Sequence, residues 1–359
     1  MNTRNPKPQC RRPRPLATLA LAGLLGTQGA FADILYVGDS GDNTVKRFDA
    51  GTGAFLDADN DDTNNPDAFV RSGSGGLDGP RGLLFDGHLL VANQNAELKT
   101  AGEILRFDGQ TGTLLGALVP ASDKNAPFAP QGIVRTPNQT LYVANLTTAS
   151  SSRPQGGAPG NVMTYDANGD LLDRLDAPGF PNKDYHPRAL VLGPDNLLYV
   201  SVRTVKKDGL GGHVLRFTPE GQFVDVFIAD EGGIGHLNRP EGLVFGPDGH
   251  LYITSFRATQ DGTDTDSIRI YDDGGALLDK IDLYQLGETR VYSQAILFGP
   301  EGRLFVPVIN PADVTGAVRR YDVAAKTFEV FTDFASSKLR MPWYLTFGTT
   351  NPATLAYGQ

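Results

Sequence analysis

One cysteine, three methionines, one tryptophan and five histidines are spread over 359 residues. Cys10 precedes the first apolar run, where a lipoprotein cysteine would not be placed, and removal of the leader described below leaves none. Disulfide staples, thiol nucleophiles and cysteine metal sites are thereby excluded. The histidines, His88, His186, His213, His236 and His250, form no His-x-x-x-His pair. There is no Gly-x-Ser-x-Gly elbow, and GSGG at 73–76 joins strand-like segments rather than preceding a helix as a phosphate loop does. Outside the N-terminus no apolar run approaches the roughly twenty residues that span a bilayer.

Positive charge is also scarce. The formal charge is −9, and residues 1–32 hold five basic residues and no acidic one, so the remainder carries −14. Nucleic acid needs a basic field and is excluded as a partner. Divalent cations and cationic ligands are electrostatically easier. Residues 1–32 read as a signal peptide: Arg4, Lys7, Arg11, Arg12 and Arg14 precede the apolar run 16–25, and AFA at 30–32 makes a small-x-small cleavage site. The expectation is a secreted, periplasmic or extracellular chain without a membrane span after cleavage. A single domain, monomeric, then covers 33–359.

A unit recurs every fifty to sixty residues, a period that signals propellers. Its first strand is GLLF at 82–85, GIVR at 132–135, ALVL at 189–192, GLVF at 242–245, AILF at 295–298 and YLTF at 344–347. The second is LYV at 35–37, LLV at 89–91, LYV at 141–143, LYV at 198–200, LYI at 251–253 and LFV at 304–306. These are the β-branched and aromatic types that suit a half-buried sheet. The third is VKRF at 45–48, ILRF at 104–107, VMTY at 162–165, VLRF at 214–217, IRIY at 268–271 and VRRY at 318–321. A hairpin turn and a fourth strand follow. The pattern predicts an all-β fold, a six-bladed β-propeller of four-stranded antiparallel blades, with the C-terminal strand joining the N-terminal blade to close the ring and hide its edges. TLAY at 354–357 reads as a surplus second strand, which leaves a partial seventh blade or an ordered tail open. The glycine or alanine heading five of the six first strands, with Tyr344 in the sixth, permits close approach near the axis.

The strings RPEGLVFGPDGHLYI at 239–253 and PRALVLGPDNLLYV at 187–200 resemble NHL repeats, and the resemblance covers nearly all of 33–359. Propellers with similar repeats include interaction modules, gluconolactonase and senescence-marker hydrolases, strictosidine-synthase-like proteins and virginiamycin B lyase. Activity must therefore be argued from the site.

The long connections, 57–80, 145–161, 229–240 and 256–267, gather on one face, where binding usually resides. Before each residue heading a first strand stand Arg81, Gln131, Arg188, Glu241, Gln294 and Trp343, a ring expected at the mouth of the axial channel. Such a ring suits an anionic or carbonyl-bearing ligand, or else its charges neutralise one another around water. The gluconolactonase-like family holds a divalent ion there through a Glu, Asn residues and an Asp. That resemblance places Glu241 and Gln131 at two equivalent strand starts, but puts arginines at two others. Asp39, Asn93 and Asn145, at second-strand ends, offer oxygen ligands for Ca2+ or another divalent cation. DADNDD at 57–62 is not an EF-hand loop, since Asp62 stands where Gly is needed and Ala68 where the bidentate Glu belongs. His186 and His236 are the histidines placed to act as acid or base.

Two functions stay open. The first is a binding module for a small molecule, glycan or extracellular protein. The alternative is a metal-dependent lactonase or esterase, or a streptogramin-type lyase, with Glu241 and His186 or His236 as acid/base and Arg81 or Arg188 polarising a carbonyl. NQT at 138–140 and NLT at 145–147 are glycosylation sequons.

Overall fold

The structure is a computed structural model that describes residues 1–2, 33–58, 67–95, 100–148, 158–181, 184–204, 210–259 and 262–358. The chain divides into a unit of Met1–Phe31 and a second of Ala32–Gln359. The expected signal peptide coincides with the first, and nearly all of it lies outside the described residues. No helix among the described residues is long and apolar enough to cross a membrane.

The second unit is a six-bladed propeller. The chain opens with β1 (Ile34–Asp39) and β2 (Thr44–Asp49), then completes five four-stranded blades in succession. The second blade is β3 (Pro80–Phe85), β4 (His88–Asn93), β5 (Glu103–Asp108) and β6 (Leu114–Val119); the third is β7 (Pro130–Arg135), β8 (Leu141–Asn145), β9 (Asn161–Tyr165) and β10 (Leu171–Leu175). The fourth is β11 (His186–Leu192), β12 (Leu198–Arg203), β13 (Gly212–Phe217) and β14 (Phe223–Asp230); the fifth is β15 (Leu243–Phe245), β16 (Leu251–Ser255), β17 (Ser267–Tyr271) and β18 (Leu277–Asp282). The sixth is β19 (Leu297–Phe298), β20 (Leu304–Asn310), β21 (Thr315–Asp322) and β22 (Thr327–Thr332). Finally β23 (Pro342–Phe347) pairs antiparallel with β1, Leu35 opposite Phe347, and closes the ring as expected.

The closing blade has three strands among the described residues, and its outer edge is bridged at Val45 by Val70 and at Phe48 by Phe55. Of the two readings of 354–357, the ordered tail is the one found. Residues 350–357 cross the short-turn face as a tail, with the Arg135 and Leu192 amides donating to the carbonyls of Pro352 (2.9 Å) and Ala353 (3.0 Å). Leu355, at φ +56°, lies against the inner-strand residues Gly82, Gly132, Ala189 and Gly242 and so stops that end of the axial channel.

Sterics at the axis explain the small residues. A Cβ on Gly82 would lie 2.4 Å from the Gln131 carbonyl oxygen, and one on Gly242 would lie 2.7 Å from Ala295 Cα. Neither neighbour can move without shifting a whole strand. Between blades, the aromatic in the second strand packs on the one ending the next first strand: Tyr199 on Phe245, Tyr252 on Phe298 and Phe305 on Phe347, each with centroids 5.0 Å apart and nearly perpendicular. Tyr36 stacks on Phe85 at 5.1 Å. Such pairs each contribute about 0.5–1.5 kcal/mol beyond the area they bury. At the remaining two junctions the first strands end in Arg135 and Leu192, the residues whose amides hold the tail.

Replacing Gly242 by Val is expected to lower unfolding free energy by about 3 kcal/mol, because the added carbons overpack a backbone contact. Chemical denaturation followed by circular dichroism checks this, and a cost equal to that of the same change at exposed Gly51, where an added Cβ meets nothing nearer than 3.5 Å, would contradict the steric account.

Candidate functional site

Pro80, Pro130, Pro187, Pro240 and Pro342, and Ser293 in the sixth blade, precede the residues expected at the mouth of the channel. Arg81, Gln131, Arg188, Glu241 and Gln294 are all buried, and Trp343 is half-buried. Glu241, with 1% of its surface exposed, is the carboxylate at the centre. Arg188 approaches its Oε1 to 3.4 Å, and Arg203 forms a closer ion pair with the same oxygen. The Ser201 hydroxyl donates to the Glu241 main-chain carbonyl at 2.5 Å, and its oxygen accepts the Ala189 amide at 3.0 Å, which fixes the strand bearing Glu241 against β12.

Arg81 completes the group from across the ring. It donates to Ser40 Oγ (2.6 Å) and Gln94 Oε1 (2.7 Å), and its guanidinium lies 3.4 Å from the centroid of the Trp343 ring. The partners that Arg81 contacts are therefore neutral. Arg203 lies 4.9 Å from the centroid of Phe256, and Arg239 approaches the same ring at 5.6 Å. The floor is charged and the rim partly aromatic.

Electrostatics follow from this burial. Desolvation pushes Arg81 down to about 9, with Tyr344 and Glu241 acting in the opposite sense. Arg203 is pushed down to about 9 by burial, aided by repulsion from Arg188. A cation whose pKa falls on folding binds its proton less tightly in the native state, so burying these guanidiniums diminishes stability across the neutral range. Burial raises the Tyr344 hydroxyl, with Glu241 adding to the shift. It is a neutral donor at physiological pH.

Among the described residues, several buried atoms here have no hydrogen-bond partner: Glu241 Oε2, Gln131 Oε1, Trp343 Nε1 and the Nε of Arg81, Arg188 and Arg203. Glu241 Oε1 is taken by the ion pairs to Arg188 and Arg203. Buried polar groups in folded proteins are almost always satisfied. The Nε atoms of Arg106, Arg135 and Arg239 are open in the same way elsewhere, so the Glu241 and Gln131 oxygens are the more telling.

The expected metal ligands do not fit a divalent ion. Asp39 is ion-paired with Lys46 at 2.9 Å, and it accepts the amides of Gly41, Arg340 and Met341 at 2.8–2.9 Å. Asn93 accepts the Asp78 amide at 2.8 Å while its amide group donates to Gly76, Asn95 and Glu103. Asn145 accepts from Ala129 at 2.8 Å and donates to Asn161. Each of these side chains ties the incoming long loop to the end of a second strand, and its oxygens are committed to that task. Asn145 is also 2% exposed, whereas the sequon asparagine at 138 is exposed.

The two histidines part company. His186 begins β11, buried, with Nδ1 3.0 Å from the Leu146 carbonyl, so that nitrogen is the donor. His236 is exposed and faces Asp230 at 3.1 Å rather than the cluster. The acidic run at 57–62 is partly structural, since Asp57 binds the Arg47 amide at 2.6 Å and its guanidinium at 2.8 Å, while 59–62 fall outside the described residues.

Arg203 is the site residue the sequence reading missed. Taking the second strand as the Leu-Tyr-Val at 198–200 conceals it, yet the strand runs on to Arg203 and alternation puts that residue on the same face as Ser201.

No family model and no curated protein matches the chain. Solved structures do match. One is a protein of unknown function from Bacteroides caccae, at 11% identity and a TM-score of 0.54, covering 88% of this chain and 98% of that one. A protein from Lactobacillus plantarum matches at 16% identity and a TM-score of 0.49, covering 88% and 99%. A candidate gluconolactonase matches at 14% identity and a TM-score of 0.45, covering 76% and 85%. At these identities the likeness is one of fold.

Two outcomes follow from this geometry. Glu241→Gln leaves the guanidiniums of Arg188 and Arg203 without their carboxylate and is expected to cost about 3–5 kcal/mol, part of it recovered when Arg203→Met is added; a double-mutant cycle in urea measures the coupling. Asp39→Asn is expected to cost about 3 kcal/mol to the same extent with calcium or chelator present, because its partner is Lys46. A calcium-dependent difference in melting between the two proteins would instead make Asp39 a metal ligand.

Proposed function

We propose that this chain is a secreted binding module whose channel mouth, on the long-loop face, receives a small molecule. The observation that carries the reading is the convergence of partnerless buried donors and acceptors on Glu241, Gln131, Trp343 and three arginines, with half-buried Trp343 and Arg203 at the boundary with solvent. Secretion rests on the leader-like sequence at 1–32 alone.

Binding is favoured over hydrolysis by how the acid and bases are held. Glu241 is clamped by two arginines, His236 points to Asp230, and the oxygens of Asp39, Asn93 and Asn145 are engaged by backbone amides. Nothing so arranged delivers a hydroxide or a proton to an ester carbonyl.

A thermal-shift screen of a chemically diverse small-molecule library tests the reading. At least one compound is expected to raise the melting temperature by a few degrees near saturation, through linkage, and to lose that effect in Arg188→Met. In parallel, lactones and esters are expected to turn over no faster than in buffer, with or without calcium. Calcium-dependent turnover that vanishes in Glu241→Gln would overturn the binding-only reading.

A further inference from the structure

The charge at the mouth does not balance. Arg81, Arg188 and Arg203 lie within electrostatic reach of one another and of Glu241, so three guanidiniums surround one carboxylate. Only Arg188 and Arg203 pair with it, and the contacts of Arg81 are a hydroxyl, an amide oxygen and an indole face. Asp78, also in reach of Arg81, adds a second carboxylate, and Arg239, in reach of Arg203 and Glu241, adds a fourth guanidinium, whose own hydrogen bond goes to the neutral Arg257 carbonyl. The cluster thus carries an excess of about two positive charges in a protein whose overall charge is strongly negative.

A guanidinium stays protonated in a protein and gains most from a planar oxyanion that meets its fork with two parallel hydrogen bonds. The partnerless Nε atoms of Arg81, Arg188 and Arg203 are the donors such an anion would take. Trp343 Nε1 is a further donor. Two atoms ask for the reverse: Glu241 Oε2 and Gln131 Oε1 are buried acceptors that no hydrogen of the described residues reaches. A bare anion has nothing to offer them. The ligand needs hydroxyl hydrogens as well as carboxylate oxygens.

We infer that the mouth takes a small dicarboxylate bearing at least one hydroxyl group. The inference rests on the mouth being a small-molecule site and adds the charge and hydrogen-bonding class of what enters it. Two carboxylates neutralise the excess guanidinium charge, and the hydroxyl supplies Glu241 and Gln131. Simple cations are repelled by the arginines, neutral sugars leave the charge uncompensated, and inorganic oxyanions leave the acceptors unpaired.

Calorimetric titration of the full mature chain with tartrate, malate, succinate, gluconate, glucose and inorganic phosphate tests the class. Tartrate and malate are expected to bind, weakening as salt rises, with succinate and gluconate each about tenfold weaker, for want of a hydroxyl and of a second charge respectively. Arg203→Gln is expected to weaken tartrate by about tenfold to a hundredfold, and Gln131→Leu to narrow the preference for tartrate over succinate. Should Arg203→Gln fail to fold, Arg203→Lys keeps the charge but not the fork, and is expected to weaken tartrate as well.

Phosphate, gluconate or glucose binding as tightly as tartrate would overturn the inference, as would silence from every carboxylate at millimolar concentration. If the library screen meanwhile yields a neutral or cationic compound whose effect Arg188→Met abolishes, the class proposed here falls and the small-molecule site stands. If the screen yields nothing at all, both fall.

Discussion

Everything at the centre of this molecule follows from the lack of room between innermost strands. Where Gly82 and Gly242 face their neighbours, a single extra carbon would sit inside a backbone atom's contact distance. Tyr344, in the equivalent place of the closing blade, instead reaches the Arg188 carbonyl at 3.5 Å. One step earlier in their strands stand Arg81, Arg188 and Glu241, which is how positions distant in sequence come together. The fold makes the site by exclusion: what cannot fit between the strands is gathered above them.

That cluster is costly to assemble. Burying a guanidinium away from water is unfavourable unless an anion and the full set of hydrogen bonds replace hydration. Glu241 supplies one such anion, shared between Arg188 and Arg203, while the indole of Trp343 offers Arg81 a quadrupole in place of a charge. By contrast Asp39, buried just as deeply, is matched by Lys46 and by backbone amides and behaves as part of the frame. Two buried acids in one propeller thus play opposite parts, distinguished by whether their partners saturate them.

Much of the architecture was legible because each blade repeats the same physical solution. The Leu-Tyr-Val second strands and the phenylalanines ending first strands recur because they form the edge-on pairs between blades, as with Tyr252 and Phe298. The small residue heading five of the six first strands pointed to the axis, and from it the ring of Arg81 through Trp343 could be located. What could not be read lies where the repeat breaks. Arg203 stands past the repeated Leu-Tyr-Val, in a position the other copies fill with unrelated types. The tail at 354–357 imitates a second strand in pattern, but Arg135 and Leu192, exceptions among the first-strand ends, give its true anchoring points. The roles of Asp39, Asn93 and Asn145 were hidden because an oxygen that receives a main-chain amide and one that receives a metal look alike in a sequence.

The closing blade joins residues from opposite ends of the propeller domain, Leu35 against Phe347, and is the one with only three strands. It is the seam of the ring. The tail leaves from that seam and runs under the hub to fasten on the third and fourth blades, at the two junctions that lack aromatic pairs. A seam that parted would still leave those blades strapped to the strand that came loose. The terminal segment works as a tether, keeping the loose strand close to the gap it must refill.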